Sequence, residues 1–236
     1  YSDDPYNPPL IGTFWSEKDF RNCNIENYID AAEYLTNKNI YVIRMGLHKP
    51  TQVFKTSNNK IIDYTGQIRS SLDDPEFADA YLPAKCEFFI GCTSATYQFA
   101  SIFHRPVAYT NMIPFGECGR NFHDIVIFKK CLNKYDNKVL SIKEAIQNGI
   151  TGDWLTEDQI LDLEKKGIIF QENSSEEILE LTKEMYKRLN NDWDPKEDEI
   201  LLQDKFLKIT NIYTSDGDKF PGKVCYNFLK LNKNLL

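Results

Sequence analysis

Gly91-Cys92-Thr93-Ser94-Ala95 is a run of small and hydroxyl-bearing residues. It stands between an apolar stretch, Phe88-Phe89-Ile90, and a helix-like stretch that reaches His104. A helix that starts there exposes unpaired first-turn N–H groups and a partial positive charge. A phosphate placed on them gains hydrogen bonds and dipole energy together. Gly91 permits a tight turn, and Thr93 and Ser94 add hydroxyl donors. The same residues serve as ordinary helix caps, which is their commoner use, so the loop alone leaves both readings open. It is not a Walker loop, because no Gly-Lys-Ser/Thr follows, and it is not the dinucleotide GxGxxG fingerprint.

Other chemistry-bearing residues fall at the ends of apolar runs. Arg44 closes Ile40-Tyr41-Val42-Ile43 and precedes Met45-Gly46. A guanidinium at a strand end can grip a phosphate bidentately or form a surface salt bridge. Asp63 closes Ile61-Ile62 and is suited to bond a hydroxyl or, more commonly, to cap a turn. Arg21 and Asn22 precede the first clear helix and are weaker candidates for the same crevice. His123-Asp124 has the composition of an acid–base pair, but neighbours on an extended segment point to opposite sides. Lys129-Lys130 reads as a solvated face, and His104, before Arg105-Pro106, as a helix C-terminal contact. Trp154 and Trp193 read as packing residues.

The elements that must position these residues follow from periodicity. Asn24 is the N-cap of a helix carrying Ile25, Tyr28, Ile29, Ala32 and Leu35 at helical spacing, ended by Asn37 or Asn39. Strands are expected at 40–46, 61–66, 87–90, 107–110, 125–130 and 168–173. Helices are expected at 76–85, cut by Pro83, and at 94–104. Further helices follow Ser141, Thr156 and Ser174 or Ser175, with Gly167 as a stop. Residues 47–60 and 111–121 read as loops. Alternating strands and helices predict an α/β fold, a Rossmann-like parallel sheet with helices on both faces. Ligands of such sheets sit at the carboxyl ends of the strands, the edge where Arg44, Asp63, Gly91–Ala95 and Asn111 are expected.

The 236 residues suit one large domain or two small ones. A formal net charge of −7 argues against a nucleic-acid carrier. The cysteines, at 23, 86, 92, 118, 131 and 225, form no CxxC pair and read as reduced thiols of a cytosolic protein. Histidines at 48, 104 and 123 leave little material for a histidine metal site, and none is expected. No stretch approaches the roughly 18 apolar residues of a membrane span, and the polar, proline-rich start is unlike a leader. The expected location is cytoplasmic, or peripheral at the inner face of the membrane.

The series FRNCNIENYIDAAEYLTNKNIYVIRMG, IIDYTG and CEFFIGCTSATYQFASIFHRPVAYTNMIP, followed by LSIKEAI, NSSEEILELTKEM and the terminal FLKLNKNLL, resembles a family of bacterial glycosyltransferases of the two-lobed GT-B type. That family is associated with surface-polysaccharide and glycoconjugate gene clusters. The resemblance covers most of 19–236. It implies the carboxyl-terminal, nucleotide-sugar-binding lobe, which holds a donor diphosphate on a helix start without a bound metal. Mapped residue by residue, it puts the diphosphate on Gly91, Thr93, Ser94 and Ala95, with Arg44 facing the phosphates. It places Asn111 and Pro114 near the base or ribose, and Arg21, Asn22 and Gly46 as further donor contacts. Ala95 stands where related sugar-nucleotide enzymes usually carry glycine.

On the same resemblance, residues 1–18 are an irregular lead-in that continues from a segment before Tyr1. Residues 19–197 are the nucleotide-sugar domain, and 198–236 a C-terminal helix and tail packing back on it. A strand of this lobe is expected just before Tyr1, and an amino-terminal lobe or a partner chain is expected to bring the acceptor. The implied function is sugar transfer from a nucleotide-sugar donor to a saccharide or lipid-linked acceptor, with no cofactor. Asp63, His123 and Asp124 are the candidate bases. Alternatives are a sugar-nucleotide epimerase or pyruvyl-transferase-like enzyme, and a non-catalytic nucleotide-binding scaffold; fold alone does not decide among them.

Overall fold

The computed structural model describes residues 20–46, 56–116, 119, 121–152, 154–211 and 222–236. The lead-in 1–18, most of the loop expected at 47–60, His48 and Cys118 lie outside them. The fold is α/β, built on a parallel sheet flanked by helices. Its four strands are β3 (Phe89–Gly91), β4 (Val107–Met112), β5 (Ile125–Phe128) and β9 (Lys223–Val224), adjacent in that order. A second parallel pair joins β1 (Val42–Arg44) to β2 (Ile61–Asp63).

Local chemistry sets the helices. Asn24 accepts the Glu26 amide and starts a short 3₁₀ turn that runs into α1 (Ile29–Thr36). Asp74 caps α2 (Pro75–Lys85), which runs on through Pro83 into its last turn rather than breaking there. Pro83 has no N–H to give the Asp79 carbonyl, so the helix continues there with one ladder bond missing. α3 (Ala95–Ile102) ends where His104 enters the left-handed region at φ 55°. Reciprocal capping boxes, Ser141 with Glu144, Thr156 with Gln159 and Ser174 with Glu177, open α4 (Ile142–Gln147), α5 (Glu157–Lys165) and α6 (Ser175–Leu189). α7 (Glu199–Thr210) and α8 (Tyr226–Leu231) follow.

The core lies around β4 and β5, whose residues are all buried, as strands covered on both faces require. α3 rests on β3 and β4, and α6 on β4 and β5. Phe115, Phe128 and Phe206 stack or meet edge-on among them, so α7 is anchored in the same core. Phe228 and Leu229 of α8 join them.

Two expected elements differ. The strand expected at 125–130 splits at Lys129. β5 ends at Phe128, and β6 (Lys130–Asn133) turns into an antiparallel sheet with β7 (Lys138–Val139) and β8 (Ile168–Gln171). The segment 168–173 therefore pairs outside the parallel sheet, because β6 takes it as an antiparallel partner. The tail also contributes β9 beside β5, held from outside by Gln203, whose side chain bonds both the N–H and the C=O of Val224.

Candidate functional site

A cavity of about 490 Å³ opens between β1 and β3. The apolar side chains of α1, among them Ala31 and Leu35, form one wall. At its carboxyl-end mouth Arg44 closes β1 and Gly46 follows it, while Gly91 closes β3 and Ser94 belongs to the β3–α3 connection. These four residues come from the ends of two strands, β1 and β3, that belong to separate sheets, and all four line the one opening. Gly46 has φ +118° with open space around its Cα, a conformation that L side chains rarely adopt.

Arg44 is nearly buried, and its Nη1 donates to Asp63 Oδ2 at 2.9 Å. Asp63 also accepts from the amide and hydroxyl of Thr65 at 3.1 and 2.7 Å, so it caps the turn after β2. Burial works to raise the Asp63 pKa, but the Thr65 bonds and the Arg44 charge outweigh it and hold the carboxyl below its ordinary value. A carboxylate so stabilised is a weak proton acceptor, which argues against Asp63 as the base. Ser94 occupies the N-cap position of α3 in extended conformation, and its hydroxyl makes no cap bond there. Ser94 and Ala95 are exposed, so the α3 start faces outward beside the mouth. Thr93 Oγ1 turns inward to Met112 Sδ at 3.6 Å.

Several expected site residues have other work. Asp124 is fully buried at the amino end of β5 and accepts the amides of Val107 and Asn121 at 2.9 and 3.0 Å. His123 precedes it and is exposed. Both lie at the opposite edge of the parallel sheet from the mouth, because β5 runs parallel to β3 and β4. They are not placed to act as base at this site, and Asp124 instead fixes the start of β4. Asn111, expected in a loop near the base, belongs to β4 at a register shift, with φ 55°. It exchanges two hydrogen bonds with Asn173, 2.6 and 2.7 Å, and ties the strand end to the start of α6. Pro114 follows a cis peptide and is buried. The Arg21 guanidinium lies 4.9 Å from the centre of the Trp154 ring and is buried. The Asn22 carbonyl accepts from Lys129 Nζ at 2.7 Å. Lys129 is buried and Lys130 pairs with Glu177, so this lysine pair is not the solvated face expected of it.

A polar cluster beside the mouth was not anticipated. Cys23 Sγ and Cys92 Sγ are 3.3 Å apart. The Tyr28 hydroxyl bonds Cys23 Sγ at 3.4 Å and Thr110 Oγ1 at 2.6 Å, and accepts from Asn111 Nδ2 at 3.3 Å. The Cys92 hydrogen bond favours the Cys23 thiolate and, with help from Tyr28 and Lys129, overcomes burial to bring its pKa to about 7. The same bond, with burial, drives Cys92 well above its ordinary value. One thiolate shared by two sulfurs is the state this geometry favours. Cys92 sits inside the Gly91–Ala95 loop, so its place is legible in the sequence; its partner 69 residues away is not. The five described cysteines are free.

Among the described residues no three His, Cys, Asp or Glu side chains gather as a metal site, and no helix is long and apolar enough to cross a membrane. Comparison with protein-family models, curated proteins and solved structures gives no match.

Proposed function

We propose that the mouth of this cavity binds the diphosphate of a nucleotide sugar, and that the chain is the donor-binding part of a glycosyltransferase of surface-glycan synthesis. One observation carries the reading: Arg44 at the end of β1 and the Gly91–Ser94 turn into α3 line a single opening at the carboxyl edge of parallel strands. The first-turn N–H groups of α3 supply fixed donors and a favourable dipole. Arg44, oriented by Asp63, supplies positive charge. Together they stabilise the negative charge that grows on a departing nucleoside diphosphate. The acceptor and the general base belong to a further lobe or a partner chain.

The test is calorimetric or thermal-shift titration with UDP, GDP, CDP, CMP and their common sugar conjugates, with and without EDTA. Selective binding of one nucleotide, with affinity lost on removing the diphosphate, supports the reading and names the donor class. Absence of binding by the folded full-length protein contradicts it.

A further inference from the structure

Cys23 and Cys92 come from separate parts of the fold, the segment before the first 3₁₀ turn and the loop after β3, and both line the cavity. Their sulfurs lie 3.3 Å apart, and both residues are half-buried. A disulfide holds two sulfurs at about 2.05 Å, so bond formation takes a closing movement of little more than about 1 Å. Each cysteine stands between regular elements rather than inside one. Other described cysteines are placed differently. Cys131 and Cys225 are buried in the core, and Cys86 Sγ donates to the Pro83 carbonyl at 3.1 Å.

The surroundings give the two sulfurs different parts. Asn111 Oδ1 accepts the Asn173 amide, so Asn111 Nδ2 is the end that donates to the Tyr28 oxygen. With Thr110 Oγ1 also donating to that oxygen, the phenol proton goes to Cys23 Sγ. Burial, and then the charge of the neighbouring cysteines, hold Tyr28 well above its ordinary value, so the phenol stays a donor. Lys129, whose Nζ bonds the Asn22 carbonyl, adds a favourable charge for both sulfurs. The thiolate is the nucleophile in thiol chemistry. This environment favours it on Cys23 and keeps the proton on Cys92. We propose that Cys23 and Cys92 are a reversible dithiol–disulfide couple, in which Cys23 reacts with a hydroperoxide and Cys92 resolves the product. With hydrogen peroxide, the Cys23 thiolate attacks one oxygen and the O–O bond breaks. Cys23 becomes a sulfenic acid, oxidised by two electrons, and hydroxide leaves. That hydroxide takes the Cys92 proton and becomes water. The Cys92 thiolate then attacks the Cys23 sulfur, the S–S bond forms, the S–O bond breaks, and the second hydroxide takes a proton from solvent. The sum is two thiols and one peroxide giving one disulfide and two waters. The bond draws the Gly91–Ala95 loop towards the segment before α1, and an external dithiol reverses it. The couple does not depend on what the mouth binds.

The experiment treats the folded full-length protein with hydrogen peroxide at pH 7, blocks remaining thiols with N-ethylmaleimide and maps cysteine peptides by mass spectrometry. The expected result is loss of the Cys23 and Cys92 thiols together, with a Cys23–Cys92 cross-linked peptide within one chain as the dominant product. Dithiothreitol should abolish it. The two serine variants separate the roles. Cys92→Ser keeps an O–H donor beside Cys23 and should leave Cys23 as a sulfenic acid that dimedone traps. Cys23→Ser should leave Cys92 a thiol, oxidised at least about tenfold more slowly than Cys23 in the parent. The parent measurement needs no variant to fold. Cross-links that form only between chains overturn the proposal. So does oxidation of Cys23 to sulfinic or sulfonic acid while Cys92 stays a thiol, and so does a parent protein whose two thiols both survive the peroxide. Dimedone capture on Cys92 in Cys23→Ser, as fast as on Cys23 in Cys92→Ser, overturns the assignment of the two parts.

Discussion

Arg44 and Asp63 are direct register partners across the β1–β2 ladder, and their side chains meet at 2.9 Å with the guanidinium 7% exposed and the carboxylate 36% exposed. The pairing fixes a buried cation at the mouth of the cavity. Because Asp63 is partly solvated, its charge contributes modestly: Asp63→Asn is expected to cost about 1 kcal/mol at neutral pH. The sign of the pH effect follows from the lowered pKa of Asp63 in the folded state. Its contribution is full above the unfolded carboxyl value and is lost as pH falls through the folded one. Urea unfolding of parent and variant should therefore show a stability gap at pH 7 that closes in strong acid. A gap independent of pH would mean that the charge of Asp63 plays no part.

Asp124 is expected to be structural. Its removal leaves the Val107 and Asn121 amides without their acceptor in a fully buried place. Asp124→Ala should cost about 2–4 kcal/mol, which lowers Tm by about 5–12 °C in a domain of this size. His123→Ala, at an exposed position, should shift stability by less than about 0.5 kcal/mol. Equal melting of the two variants would refute this assignment.

What local pattern could reveal, and what it could not, separates along the same lines. The capping boxes are written in the sequence as Ser-x-x-Glu and Thr-x-x-Gln, and each opens the helix expected of it. The apolar runs of β4 and β5 likewise announce buried strands. The sheet to which a strand belongs is a different matter. β6 begins one residue beyond β5, with only Lys129 between, and nothing local marks the change to antiparallel pairing with β8. β9 is two residues long, below the reach of a periodicity argument. The same limit governs the site. Strand ends point to Arg44, Asp63, Gly91–Ala95 and Asn111, because position in a parallel sheet follows from element order; of these Arg44, Gly91 and Ser94 line the cavity. The exchange of bonds between Asn111 and Asn173, 62 residues apart, follows from packing alone.

Cys23 is expected to be the most reactive thiol among the described cysteines near neutral pH. At a pKa of about 7 half of it is thiolate, whereas burial drives Cys86 to about 11 and Cys131 to about 12. Alkylation by iodoacetamide, followed by peptide mass spectrometry, should label Cys23 first with a midpoint near pH 7. Cys92→Ala removes the largest stabiliser of the thiolate and should move that midpoint above about 8. A midpoint unchanged in the variant would refute the shared-thiolate geometry.

The phosphate reading of the mouth is tested most sharply by a substitution that spares the fold. Ser94 holds the N-cap position of α3 without a side-chain cap bond, and aspartate is as good an N-cap as serine. Ser94→Asp should therefore leave Tm unchanged or slightly raised. It sets a negative charge where the diphosphate would lie, and near a protein surface two like charges about 4 Å apart repel by up to about 4 kcal/mol. Nucleoside diphosphate affinity should fall by about 100-fold or more, since each 1.4 kcal/mol is tenfold. Arg44→Ala should weaken nucleoside diphosphates far more than the free nucleoside. Because Arg44 also pairs with Asp63, that variant should lose stability as well, and the ratio of the two affinities is its informative readout. Unchanged affinity in Ser94→Asp, or equal losses for nucleoside and diphosphate in Arg44→Ala, would leave the α3 start as a helix cap and nothing more.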